Sequence, residues 1–203
     1  MTGIKICGLF RNCDIDYVNE AGPDYAGFII NYPRSHRRVT PERAAELRRR
    51  LRPQIRAVGV FVDRPLSEVV TAAGEIPLDV IQLHGSEDDD YICALREETG
   101  LPVWKAFRIR ERKDLAAAMT SAADVVLLDN GTGTGQAFDW SFLADMERPF
   151  ILAGGLTPER IPDAAAIPGV RVLDISSGVE TDRVKDREKI LRAVKAARRQ
   201  EGE

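Results

Sequence analysis

Eight short apolar runs recur along the chain, each followed by a segment of helical composition, and this alternation leaves few folds open. The runs cover residues 4–7, 25–30, 55–62, 79–83, 103–107, 124–128, 150–153 and 170–175. Helical segments start near Asp14, Pro41, Pro65, Asp88, Arg112, Asp139, Pro158 and Lys185. Within the sixth run, Val125 to Leu128 are apolar without alternation, as expected of a strand covered on both faces in a parallel sheet. Capping signals mark some helix starts: Thr40-Pro41-Glu42 sets an N-cap hydroxyl before a first-turn proline, and Thr157-Pro158-Glu159 repeats it. Eight such units in 203 residues leave room only for short loops. The expected architecture is therefore α/β: one (β/α)8 barrel over residues 1–203, the TIM-barrel arrangement, rather than two domains.

Charge and cysteine usage narrow the function classes. A net charge of -3 gives no single-sign field for nucleic acid or an anionic membrane, so any anion must be bound locally. Arg48, Arg49, Arg50 and Arg52, like Lys195, Arg198 and Arg199, fall on helical segments with glutamates nearby and read as solvated helix faces. No segment approaches the roughly 20 apolar residues of a membrane span. Cys7, Cys13 and Cys93 are an odd number in no disulfide or metal-ligand spacing, which fits a reducing compartment and a cytoplasmic protein. Cys13 and Cys93 lie on expected helices and read as packing residues.

In a parallel barrel the strand C-termini converge on one face, so the residues ending each run can be compared as one rim. The first run ends at Cys7-Gly8; the second leads to Arg34, His36, Arg37 and Arg38; the third leads to Asp63 and Arg64; the fourth ends in Gln82-Leu83-His84-Gly85. The sixth leads to Asp129 and the glycine-rich stretch 131–135, the seventh to Gly154-Gly155, and the eighth holds Asp174 and ends in Ser176-Ser177-Gly178. Asp129 is a candidate acid or base, with a loop-capping role as the alternative. Cys7 is either a buried small hydrophobe or, if partly ionised, a base. Gln82, His84 and Asp174 are candidate substrate contacts, although His84 could equally hold its loop by hydrogen bonds. Gly154, Gly155, Ser177 and Gly178 follow the last two strands, where barrels commonly bind phosphate through backbone N–H groups, and could alternatively be tight turns alone.

The blocks Lys5-Ile-Cys7-Gly8, Gly27-Phe-Ile with Ser35-His-Arg37-Arg-Val39, Val58-Gly-Val-Phe-Val62, Gln82-Leu-His-Gly85, Leu127-Leu-Asp129, Phe138-Asp-Trp140, Ala153-Gly-Gly-Leu156 and Asp174-Ile-Ser-Ser-Gly-Val-Glu180 resemble phosphoribosylanthranilate isomerase from end to end. The resemblance implies an aldose-to-ketose (Amadori) rearrangement in tryptophan biosynthesis, with a small phosphorylated substrate, no cofactor and no metal, in a protein more often monomeric than dimeric. On matching positions it implies Cys7 as general base at ribose C2′, Asp129 as general acid at the ring oxygen, and Arg37 as partner of the anthranilate carboxylate. Asp129 would need a raised pKa, and Cys7 a local positive potential.

Three positions depart from the family pattern: Thr132 replaces a glycine, an extra residue near Asn31 leaves Arg34, Arg37 and Arg38 as competing carboxylate partners, and Arg183 stands where glycine is common. The related histidine-pathway isomerase uses a carboxylate as base, whereas position 7 here is Cys; that enzyme and a bifunctional isomerase are the rival enzymes. A non-catalytic sugar-phosphate-binding barrel is the rival from another class.

Overall fold

Each apolar run forms a strand in the computed structural model, which describes residues 2–129 and 140–198. The strands are β1 (Gly3–Cys7), β2 (Tyr25–Ile30), a two-residue β3 (Arg38–Val39), β4 (Arg56–Phe61), β5 (Val80–Leu83), β6 (Val103–Arg108), β7 (Val125–Asp129), β8 (Phe150–Ala153) and β9 (Val170–Ile175). Neighbours run β1-β9-β8-β7-β6-β5-β4-β2, and β1 pairs with β2 to close a parallel barrel, as the sequence implied. β3 lies on the outer end of β2, with Ile29 opposite Arg38 and Ile30 opposite Val39. Asn31, at φ 47°, makes the turn out of β2.

The two faces of each strand build two cores. Outward side chains such as Ile4, Ile6, Phe28 and Leu128 pack under the helices, while Tyr25, Val58, Val80, Trp104, Leu127, Ile151 and Val172 fill the barrel. Because side chains alternate with period two, the parity that fills the barrel also sets Cys7 and Ala153 in its interior cluster and brings Gln82, Asp129 and Asp174 to the mouth.

The surrounding helices are α1 (Asn12–Ala21), α2 (Pro41–Arg50), α3 (Leu66–Glu75), α4 (Asp89–Thr99), α5 (Leu115–Thr120), α6 (Ile161–Ala165) and α7 (Arg187–Arg198). The cap expected at Thr40 forms, its hydroxyl accepting from Arg43 N at 3.3 Å with Pro41 in the first turn. The one expected at Thr157 does not start a helix: residues 157–160 make a turn, and α6 begins at Ile161. Pro162 is the reason, since a helix already running from Pro158 would lack the Pro162 N–H and meet its ring at the carbonyl four residues back. Trp140–Asp145 is a 3-10 helix instead of an α-helix, in a short segment that must end before Pro149. The expected start at Asp139 and the stretch 131–135 with Thr132 lie outside the described residues, as does Arg199. Lys185 belongs not to the last helix but to a hairpin of β10 (Glu180–Thr181) and β11 (Val184–Lys185), turned by Asp182 at φ 50° and Arg183 at φ 64°. Arg183 thus adopts the left-handed conformation for which glycine is the default. Cys13 is half-buried on α1, whereas Cys93 is exposed on α4 and does not pack as expected. No described helix is long and apolar enough to cross a membrane.

Candidate active site

At the C-terminal mouth of the barrel a cavity of about 250 Å³ is lined by Cys7, Arg37, Gln82, His84, Asp129, Gly154, Gly155, Asp174, Ser176 and Ser177, over a floor of Ile29, Val60, Ala153 and Leu156. Around the ring, Cys7 ends β1 and Asp129 ends β7, with the glycine and serine turns of β8 and β9 between them. Of the three competing arginines, Arg37 lines the cavity; Arg38 is exposed on β3 and donates to Pro33 O, and Arg34 is also exposed.

A buried ion pair underlies Cys7. Lys5 Nζ donates to Asp174 Oδ2 at 2.8 Å, with the lysine wholly buried. Burial alone would drive Lys5 toward its neutral form, but the Asp174 carboxylate and the Cys7 sulfur outweigh it and hold the lysine above its ordinary pKa. Burial pushes the Cys7 thiol up; the Lys5 charge opposes this and the Asp174 charge adds to it, leaving Cys7 above its ordinary value. The expected positive potential is therefore present, yet desolvation outweighs it. Gly27 on β2, in register with Cys7, makes this packing possible: a Cβ there would lie 2.9 Å from Cys7 Sγ and 3.1 Å from Lys5 Nζ.

Asp129 meets His84 Nε2 at 3.4 Å, and Gln82 Nε2 lies 3.3 Å from His84 Nδ1. An amide nitrogen can only donate, so with the amide in this orientation Nδ1 accepts and the neutral imidazole turns its Nε2–H toward Asp129. His84 thus links Gln82 to Asp129 across the mouth. Gln82 Oε1 and Asp174 Oδ1 are buried and make no hydrogen bond among the described residues. Leaving such acceptors unmatched costs about 1–3 kcal/mol each, so residues lining a cavity in this way suit a ligand rich in hydroxyl donors.

The turns after β8 and β9 are joined by close backbone approach. Gly154 and Gly155 adopt φ 89° and 63°, and a Cβ on Gly178 would fall 1.8 Å from Leu156 O. Gly178 is thus required by packing and does not line the cavity, whereas Gly154, Gly155 and Ser177 do. Ser176 Oγ donates to Cys7 O at 3.1 Å, tying the β9 turn to the end of β1.

Sequence reasoning passed over a second charged cluster beside Arg37. Arg37 donates from Nε and Nη2 to Glu180 Oε1 and Oε2 at 2.6 and 2.7 Å, and buried Lys185 donates to Glu180 Oε1 at 2.7 Å. Burial pushes the Glu180 carboxyl up, but the Arg37 hydrogen bonds and the Lys185 charge hold it down at about 2. The shared carboxylate serves two cations, so Lys185, buried and facing the like charge of Arg37, is lowered. Glu180 stood in the quoted motif, but its partners are 143 and 5 residues away and carried no local signal. Among the described residues no group of three or more His, Cys, Asp or Glu side chains could hold a metal ion.

Residues 4–196 match the sequence family described as N-(5'phosphoribosyl)anthranilate (PRA) isomerase. The chain is 40% identical over 203 residues to the N-(5'-phosphoribosyl)anthranilate isomerase of Endomicrobium trichonymphae, covering 98% of this chain and 99% of that one. It superposes with a TM-score of 0.87, at 32% identity and with 98% and 99% of the two chains covered, on a phosphoribosyl anthranilate isomerase in complex with reduced 1-(o-carboxyphenylamino)-1-deoxyribulose 5-phosphate. Monomers of the dimeric phosphoribosylanthranilate isomerase from Thermotoga maritima match at a TM-score of 0.85 and 33% identity, with 98% and 99% covered.

Proposed function

The chain belongs to the N-(5'-phosphoribosyl)anthranilate isomerase family of aldose–ketose isomerases, and from that premise we propose that it rearranges N-(5-phosphoribosyl)anthranilate to 1-(2-carboxyphenylamino)-1-deoxyribulose 5-phosphate, with Cys7 as general base and Asp129 as general acid. The observation that carries the assignment is the single cavity in which a thiol, a carboxylate, an arginine and two glycine-rich turns meet. Asp129 gives its proton to the furanose ring oxygen as the C1′–O bond breaks, and the anthranilate nitrogen supplies the electron pair that forms a cationic imine. Cys7, as thiolate, then removes the C2′ proton; the electrons of that bond neutralise the imine, and the resulting enolamine tautomerises to the ketose.

This order suits the electrostatics of the site. Burial keeps Cys7 protonated before substrate binds; the cationic imine adds to Lys5 the positive charge that the thiolate needs, and the thiol proton leaves to solvent before the thiolate takes the C2′ proton. Asp129 lines the cavity with His84 Nε2 3.4 Å from its carboxylate, within reach of a ring oxygen held by the sugar contacts. Arg37 holds the anthranilate carboxylate, Gln82, His84 and Asp174 hold the sugar, and the backbone at Gly154, Gly155, Ser177 and Gly178 receives the phosphate, with Gly178 acting through the close packing of the two turns. A cytoplasmic monomer is consistent with three free cysteines and with Met119 as the one large hydrophobic side chain exposed among the described residues.

Turnover of N-(5-phosphoribosyl)anthranilate, followed as loss of anthranilate fluorescence, tests the activity. The expected result is saturable turnover that inorganic phosphate inhibits competitively, and a sulfate soak that places the anion against the backbone of Gly155 and Ser177. An active protein whose sulfate binds only elsewhere would refute the phosphate assignment, and no turnover would refute the activity.

A further inference from the structure

We propose that Glu180 is a positioning residue that fixes which edge of the Arg37 guanidinium is offered to substrate, and thereby makes the enzyme selective for a carboxylate-bearing ring. The inference rests on the reading of Arg37 as the carboxylate partner and deepens it.

A guanidinium has two edges able to grip a carboxylate, one formed by Nε and Nη2 and the other by Nη1 and Nη2. Glu180 occupies the first completely, at 2.6 and 2.7 Å. Only the end-on edge is left for a ligand. Glu180 is itself fixed: its side chain is 5% exposed and is held by Lys185, whose own side chain is fully buried and also donates to Ser176 O at 3.0 Å.

The stem of Arg37 is held as firmly as its head. It crosses Gly8, the residue after Cys7, so closely that a Cβ there would lie 2.5 Å from Arg37 Cδ. A second clasp joins the Arg37 segment to the 180–185 hairpin, with His36 Nε2 3.1 Å from Arg183 O and Arg183 Nη2 3.2 Å from His36 Nδ1. Arg37 is therefore preorganised from both ends, and binding a carboxylate need not order a free arginine. The cluster of Arg37, Lys185 and Glu180 has one net positive charge, which matches a monoanionic carboxylate better than a dianionic phosphate.

The test compares N-(5-phosphoribosyl)anthranilate with N-(5-phosphoribosyl)aniline, which lacks the carboxylate, in wild type, Arg37→Ala, Glu180→Gln and the double variant. Glu180→Gln is expected to raise KM for the anthranilate substrate by about tenfold or more with kcat nearly kept, and to leave the aniline substrate almost unaffected. The double variant should be no worse than Arg37→Ala alone, because Glu180 acts through Arg37. If leaving Lys185 unpaired prevents folding, Glu180→Gln with Lys185→Met removes both charges and is measured instead. Arg37→Ala that discriminates between substrates while the Glu180 variant affects both equally, or neither, overturns the inference and leaves the carboxylate reading intact. Arg37→Ala that harms both substrates equally overturns both.

Discussion

Cys7 is the residue on which burial and chemistry pull hardest against each other. It is 7% exposed, so a thiolate here forms in a poorly solvated place, and Lys5 offsets that cost only in part. Thiolate absorbance in the ultraviolet, taken as the difference between wild type and Cys7→Ser, should therefore appear in the free enzyme with a midpoint above that of an ordinary cysteine thiol. A midpoint near neutrality would mean that Lys5 dominates and that the thiolate is preformed. The sign follows from the raised pKa: the thiol form persists through neutral pH, and the thiolate is generated only as pH rises past the shifted value or as positive charge is added beside it. At this scale the sequence exposed Cys7, Asp129 and Arg37 because strand ends and a known motif marked them. It concealed the Lys5–Asp174 pair, whose members lie 169 residues apart and meet only when the barrel closes, and it concealed Glu180 for the same reason.

Elements are fixed in place by a device repeated at the opposite face of the barrel. Asp24, Asp79 and Asp124 each stand just before a strand and accept from the backbone N–H of Ile4, Ala57 and Val103 at 2.8, 2.7 and 2.8 Å. Each also pairs with an arginine of a nearby helix, Arg198, Arg48 and Arg96 respectively, so that one carboxylate sets the offset of two strands and docks a helix. Asp79→Ala should cost about 1–3 kcal/mol, because the buried Ala57 N–H loses its acceptor, whereas Asp79→Asn keeps an acceptor and should cost under about 1 kcal/mol. Denaturant titration of the two variants checks this, and equal losses would assign the effect to the ion pair instead. Helix and strand positions were legible because their periods differ. The late start of α6, the 3-10 helix at Trp140 and the 180–185 hairpin were not, since each depends on a proline or on left-handed residues overriding local propensity.

Barrel closure brings residues from the two ends of the chain onto one cavity, so the catalytic claim is a property of the whole molecule. The number of βα units predicted that closure, and the ends of the apolar runs named the rim from which the cavity draws part of its lining. What neither carried was the balance of charge inside, which is set by burial. The most direct test of the account is kcat for Cys7→Ser and Asp129→Asn with N-(5-phosphoribosyl)anthranilate as substrate. Each substitution keeps shape and leaves the phosphate and carboxylate contacts in place, and a positioned acid or base contributes about 10²–10⁴-fold. The expected result is a loss in kcat of that size for each, roughly 3–5 kcal/mol of barrier, with KM little changed and with Cys13→Ser near wild type. Near-wild-type kcat in both Cys7→Ser and Asp129→Asn would contradict the mechanism.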